Sequence, residues 1–278
     1  MRHLTWIKIG LGLFACALLL SVHPLGAVAE APNGLLLSGS STMGPLMRDI
    51  ASRYQLTHPG FTVEVRMGGT GSGIDDTRRG MASLGMVSRP LGAGEHDLYG
   101  VPVARDGVAL IVHRDNPVGD LSAAQIAELY SGKVANWRAL GGRDRPVHLL
   151  AGPAAAGSAE PFSHYIGLPY ASFAAHRTIG PNAARIDAVA ADPDAVVFVS
   201  IGDAERRAQA GAPIRLLAVG GVTASSKNVR NGNYPMARPL MLISHGAPSG
   251  AAREFVEFCL SSQVTDLIVK FDFVPYLD

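Results

Sequence analysis

The apolar positions of the chain change period repeatedly, from the runs and alternations of strands to the four-residue spacing of a helix face. Leu35-Leu36-Leu37 predicts a short strand, and Leu46, Ile50 and Tyr54 predict a helix that His58-Pro59-Gly60 stops. Phe61, Val63, Val65 and Met67 alternate with polar residues as a half-buried strand does, and a second helix is expected to begin at the glycine-rich stretch 68–73. Residues 108–113 read as a strand. Ser122 and Gln125 form a capping box ahead of Ile126, Leu129 and Tyr130, in a helix that ends at Gly132. Segments 147–150 and 195–199 have the unbroken apolar character of strands covered on both faces, and 240–243 predicts a late strand before two C-terminal helices. This alternation predicts an α/β fold in which helices cover a largely parallel sheet. No internal repeat or low-complexity linker interrupts it, so any two lobes must be joined by strands or short crossings.

The first residues follow a different pattern. Arg2, His3 and Lys8 precede the apolar run 9–22, and the small-residue pattern Ala27-Val28-Ala29 follows. This is the form of a cleavable secretory signal peptide over residues 1–29, which implies a periplasmic mature chain starting at Glu30. The apolar run is shorter than the roughly 20 residues that span a bilayer. It continues past Cys16, which does not suit a lipoprotein acylation site. Removal of residues 1–29 leaves one cysteine, Cys259, and so no intrachain disulfide. Its setting among Phe255, Val256, Phe258 and Leu260 suits the buried face of a helix, without the charged neighbour that activates a thiol.

With 278 residues, 47% of them hydrophobic and 17% charged, the chain has enough apolar material for one large domain or two lobes. Its 24 Lys and Arg nearly balance 23 Asp and Glu, and loss of Arg2 and Lys8 leaves the balance slightly acidic. A nucleic-acid platform, which needs a strongly basic surface, is therefore not expected. The 32 Gly and 18 Pro fit a fold with many short connections.

Three places share one local device, in which a strand runs into Gly, Ser and Thr residues and a helix begins at once: Gly39-Ser40-Ser41-Thr42, Gly69-Thr70-Gly71-Ser72-Gly73 and Gly157-Ser158. A helix start presents unpaired amides and the positive end of a dipole, so an oxyanion there meets N–H and hydroxyl donors. Each device alone is equally an ordinary N-cap or turn. Ser88-Arg89, after the apolar stretch 84–87, adds a guanidinium able to fork onto two oxygens.

Taken in order, these stretches resemble the periplasmic phosphate-binding proteins of ABC importers, two-lobed solute receptors. The resemblance rests on "GSSTMGPL" at 39–46, "GTGSGI" at 69–74, "SRPL" at 88–91, "DGVALIVHRDNPV" at 106–118, "LSAAQIAELYSGKVANWRALGG" at 121–142 and "YPMARPL" at 234–240. It implies a type II-like two-lobed binding protein, each lobe a mixed, mainly parallel sheet flanked by helices, with residues 33–105 and 240–278 in one lobe and 106–239 in the other. Carried over by motif, Ser41, Thr42, Thr70, Ser72, Ser88, Arg89, Gly157 and Ser158 would hold phosphate or a related tetrahedral oxyanion in the cleft. The implied partners are that anion and the membrane permease of an ABC importer. The protein is expected to be a monomer and to use no cofactor or metal.

Two departures from the family pattern matter. Where the family places an Arg four residues before its Ser-Gly-Thr, this chain has Gly152, so a principal ligand is missing there; Arg143 and Arg145 are the substitutes nearest in sequence. At Arg89 the family varies between Asp and Arg, and an Asp would have accepted the proton of hydrogen phosphate. Two other readings stay open. One is a secreted hydrolase or phosphatase, although Gly-x-Ser-x-Gly, the Gly-x4-Gly-Lys-Ser/Thr loop and His-Glu-x-x-His are all missing. The other is a degenerate receptor used for sensing or partner binding. His58, His96, His113, His148, His164, His176 and His245 are scattered and read as surface or turn residues, while Trp137 and Tyr234 read as buried packing.

Overall fold

The computed structural model describes residues 34–277, so the expected signal peptide lies outside the described residues. None of the described helices is long and apolar enough to cross a membrane. The chain begins with β1 (Gly34–Gly39), α1 (Gly44–Thr57), β2 (Thr62–Met67), α2 (Thr70–Arg78) and β3 (Leu84–Val87). β4 (Leu98–His113) leads to β5 (Asp120–Leu121), α3 (Ala123–Tyr130), β6 (His148–Ala151), α4 (Ala159–Ile166) and β7 (Arg177–Thr178). Next come α5 (Asn182–Ala191), β8 (Ala195–Ser200), α6 (Ile201–Gln209), β9 (Ile214–Leu216), β10 (Ala218–Val219) and α7 (Ser226–Arg230). The chain closes with β11 (Ala237–His245), α8 (Gly250–Leu260), α9 (Thr265–Lys270) and β12 (Val274–Pro275).

The fold is α/β and two-lobed, as expected, but the sheets of the two lobes are continuous. Strand order runs β2-β1-β3-β11-β4-β8-β6-β7. The outer pairs are parallel on both sides, β1 with β2 and β3, and β6 with β7 and β8. The antiparallel pairs lie in the middle, where β11 meets β3 and β4, and β4 meets β8. β4 is 16 residues long, much longer than the apolar stretch 108–113 suggests. Its first half pairs with β11 and its second half with β8, so one strand crosses from one lobe to the other.

Burial follows from this layering. In β8 the side chains of Val196 and Phe198 enter one core with Tyr130 and Phe162, while Ala195, Val197 and Val199 enter another with Ile186 and Val189. Both faces are covered, which is why the segment is apolar without alternation. On the other side of the molecule, Leu46, Ile50 and Tyr54 of α1 pack with Phe255 and Cys259 of α8. Cys259 is fully enclosed there, and burial pushes its thiol pKa up, the setting of a packing residue. The capping box forms as predicted: Ser122 Oγ accepts from the Gln125 amide and Gln125 Oε1 from the Ser122 amide.

Candidate functional site

The three Gly/Ser/Thr devices do start helices, and the fold turns them toward one another. α1 begins just after Thr42, α2 begins at Thr70 inside the glycine-rich stretch, and α4 is capped by Ser158. A fourth helix start, Asn182 of α5, joins them. Thr42, Thr70, Ser88, Ser158 and Asn182 are all buried.

Contacts between them are direct. Thr70 Oγ1 lies 3.2 Å from Ser88 Oγ and accepts from the Ser88 amide at 3.2 Å. Asn182 Nδ2 donates to Thr42 Oγ1 at 3.0 Å. Gly157 is wedged against the first group: a Cβ on it would stand 2.2 Å from Ser88 Oγ and 2.5 Å from Thr70 Oγ1. Glycine is required here by close approach. The Gly71 amide also donates to the Ala155 carbonyl at 3.2 Å. Segments distant in sequence thus close on one another with no gap at these points.

Two buried arginines complete the cluster. Arg238, at the start of β11, donates from Nη1 to the Ser88 carbonyl at 3.0 Å and to Ser88 Oγ at 3.3 Å. Its Nη2 reaches Thr42 Oγ1 at 3.4 Å and Asp106 Oδ2 at 2.8 Å. Asp106 stands opposite it in the β4–β11 register, so sheet pairing itself aligns this ion pair. Arg185, on α5, donates from Nη1 to the Phe198 carbonyl at 2.6 Å and to Ser158 Oγ at 3.4 Å, and from Nη2 to Asn182 Oδ1. Burial, and secondarily the charge of Arg238, push the Arg185 pKa down to about 10, which leaves it protonated at neutral pH.

Other expected ligands are placed differently. Arg89 forks onto Glu95 at 2.7 and 2.6 Å, and its Nε meets Glu160 of α4 at 2.8 Å. Its charge is engaged by two carboxylates, so it acts as a clasp at the rim. Hydrogen bonding from Arg89 holds the Glu95 carboxyl below the usual range. Ser72 Oγ donates to the Gly68 carbonyl in its own loop. Ser41 is half-buried and lines a cavity of about 520 Å³ at the cleft mouth, together with Pro45, Met67, Pro153 and Pro181. Arg145 does not reach the cluster; it pairs with Asp194 at 2.6 Å beside Trp137, which is itself buried and donates to the Asp194 carbonyl. Tyr234 is likewise buried, with its hydroxyl on the Val108 carbonyl. The scattered histidines include one close contact with acids, His148 with Asp192 at 2.7 Å, on the exposed side of that same region.

Arg185, Arg238 and Asn182 were not among the residues the motifs single out. Arg238 was in reach, since it lies inside "YPMARPL". Arg185 and Asn182 sit in the stretch "NAARID", which carries no local sign of an anion site.

Known proteins resemble the chain over nearly its whole length. A phosphate-binding protein PstS of Bacillus subtilis is 27% identical over 254 residues, which is 90% of this chain and 83% of that protein. A putative phosphate ABC transporter substrate-binding protein with bound phosphate from Clostridium perfringens superposes with a TM-score of 0.80 at 27% identity, covering 87% of this chain and 99% of the other. An ABC-type phosphate transport receptor from Vibrio cholerae gives 0.73 at 26% identity, covering 86% and 99%. A PBP superfamily domain model matches residues 26–263, and with the two lobes and the closed cleft this establishes that the chain belongs to the PBP superfamily.

Proposed function

We propose that this protein captures inorganic phosphate between its lobes outside the cytoplasm and delivers it to the permease of an ABC importer. The observation that carries this reading is the convergence of four helix starts, from α1, α2, α4 and α5, on two buried guanidinium groups. Hydroxyls, helix-start amides and arginines form the donor set that a small multivalent oxyanion needs. The phosphate-binding names of the relatives point to the same ligand. Ser41, Thr42, Thr70, Ser88, Gly157 and Ser158 remain the proposed contacts at the closing faces, with Arg89 and Ser72 in supporting places. Residues 33–105 with 240–278, and 106–239, are taken as the two lobes, which is supported by the separate cores built on the two halves of β4, with Val274 alone of the last segment packing into the second. Residues 1–29 are taken as the export signal, and the protein is taken to act as a monomer.

The geometry gives no support to a hydrolase. A serine nucleophile needs a base within hydrogen-bond reach, whereas Ser88 Oγ is met by Thr70 and Arg238, and Ser158 Oγ by Arg185. Isothermal titration of the purified chain with phosphate, sulfate and arsenate tests the proposal. Micromolar or tighter binding of phosphate is expected, and a failure of phosphate to bind at millimolar concentration overturns it.

A further inference from the structure

Arg185 is a buried cation without a carboxylate. It is 2% exposed, and its partners are a carbonyl, a hydroxyl and a side-chain amide oxygen. Its Nε and that of Arg238 have no hydrogen-bond partner among the described residues. The nearby carboxylates are engaged elsewhere: Asp106 holds Arg238, and Asp203 accepts from Asn182 and pairs with Arg206. Asp203 acts on Arg185 only at a distance, through Asn182, and burying a guanidinium with no directly bonded carboxylate is unfavourable. The cluster therefore carries an excess of positive charge that a bound anion would neutralise.

Gly152 explains how Arg185 comes to be there. A Cβ at position 152 would lie 2.5 Å from Arg185 Nη1 and 2.9 Å from its Cζ, so the guanidinium fills the space into which a side chain at 152 would project. A side chain at 152 and the Arg185 guanidinium in this position exclude each other, so one of them must move aside. The Phe198 ring, 5.5 Å from Cζ, backs the guanidinium on another side.

We propose that Arg185 is the principal cationic ligand of the anion in this chain, entering from α5 the volume that an arginine at position 152 would otherwise serve, and that it holds the anion together with Arg238. The ligand class is a tetrahedral dianion, and the inference rests on the phosphate reading above. The chain is then not a degenerate receptor: the missing arginine of its third motif has been exchanged for one on a neighbouring helix.

Calorimetric titration with inorganic phosphate tests this on the parent and five variants, each checked for folding by circular dichroism. Arg185→Gln should weaken binding at least 30-fold, and Arg185→Lys about 10-fold, because the ammonium keeps the charge without the fork. Gly152→Arg alone should lose binding by collision. Gly152→Arg combined with Arg185→Ala should return to within about 10-fold of the parent, which a merely structural role for Arg185 would not produce. Arg145→Gln, at the distant Asp194 pair, should bind like the parent.

A folded Arg185→Gln protein within threefold of the parent overturns the inference and leaves the phosphate reading intact. Should that variant fail to fold, Arg185→Lys decides on the same threshold. If the parent binds sulfate or arsenate but not phosphate, the phosphate reading falls and the same variants decide the inference with that anion. If the parent binds no tetrahedral anion, both fall.

Discussion

Arg89 and Glu160 meet across the cleft, Nε to Oε2 at 2.8 Å, joining the end of β3 to the first turn of α4. Glu160 is mostly exposed, so the pair is screened by solvent and contributes at most about 1 kcal/mol. Glu160→Gln should weaken anion binding by no more than about fivefold. The loss should shrink further as salt is raised, because the Debye length falls below 10 Å above about 0.1 M. Titrations of parent and variant at low and high ionic strength check this; a salt-independent loss of tenfold or more would assign Glu160 a direct role.

The second carboxylate on Arg89 gives a pH signature. Glu95 is well shielded, accepts both terminal nitrogens of Arg89 and also the Gly92 amide, and these bonds lower its pKa in the folded protein. A depressed folded pKa means that the stabilisation is fully present above the unfolded glutamate value of about 4.3 and is lost as pH falls through the folded value. The Tm difference between parent and Glu95→Gln should therefore be constant from pH 8 to about 5 and should narrow below about pH 4. A difference that grows on acidification would contradict the assignment.

Gly157 should tolerate no side chain in the closed molecule. The Cβ of Gly157→Ala would press on Ser88 Oγ, Thr70 Oγ1 and the Ser88 carbonyl. Overpacking of this kind costs about 1–3 kcal/mol. Because the clash lies between segments that part when the cleft opens, it should fall on affinity, as a roughly 5- to 150-fold loss, and should scarcely change the Tm of the anion-free protein. Calorimetry and thermal denaturation without anion separate the two effects.

Tyr130 is fully buried, with its hydroxyl on the Leu150 carbonyl at 3.1 Å and its ring edge-on to Phe162. Tyr130→Phe keeps the ring contacts and leaves that carbonyl short of a donor. The expected loss is about 1 kcal/mol, or about 2–4 °C in Tm for a protein of this size. Anion affinity should be unchanged. A change in affinity would reveal that this core communicates with the cleft.

Much of the molecule was legible from residue pattern. Four-residue spacing located α1, the capping box located α3, and unbroken apolar runs located β6 and β8, because each of these is decided by short-range chemistry. Three of the four converging helix starts were legible for the same reason. The ligand set was less so. Arg89 looks like a free guanidinium until Glu95, six residues on, and Glu160 are brought to it by folding. Arg185 looks like an ordinary helix residue, and only its burial beside Gly152 gives it meaning, since that contact depends on how α5 packs over β8, the strand that pairs with β6. Where apolar spacing ended at residue 113, it also gave no sign that β4 had begun at Leu98, because the earlier half of that strand mixes Gly, Pro and charged residues.

β4 has a mechanical consequence. Because it is paired along its length with strands on both sides of the cleft, through one register shift opposite Leu240 and Met241, the molecule has no loose tether at its waist. Opening must be taken up as torsion spread along a pleated ribbon, with the Arg238–Asp106 pair lying directly on that ribbon. The same two strands that bend also carry a charge of the proposed anion cradle, so a guest seated there would brace the flexing element itself.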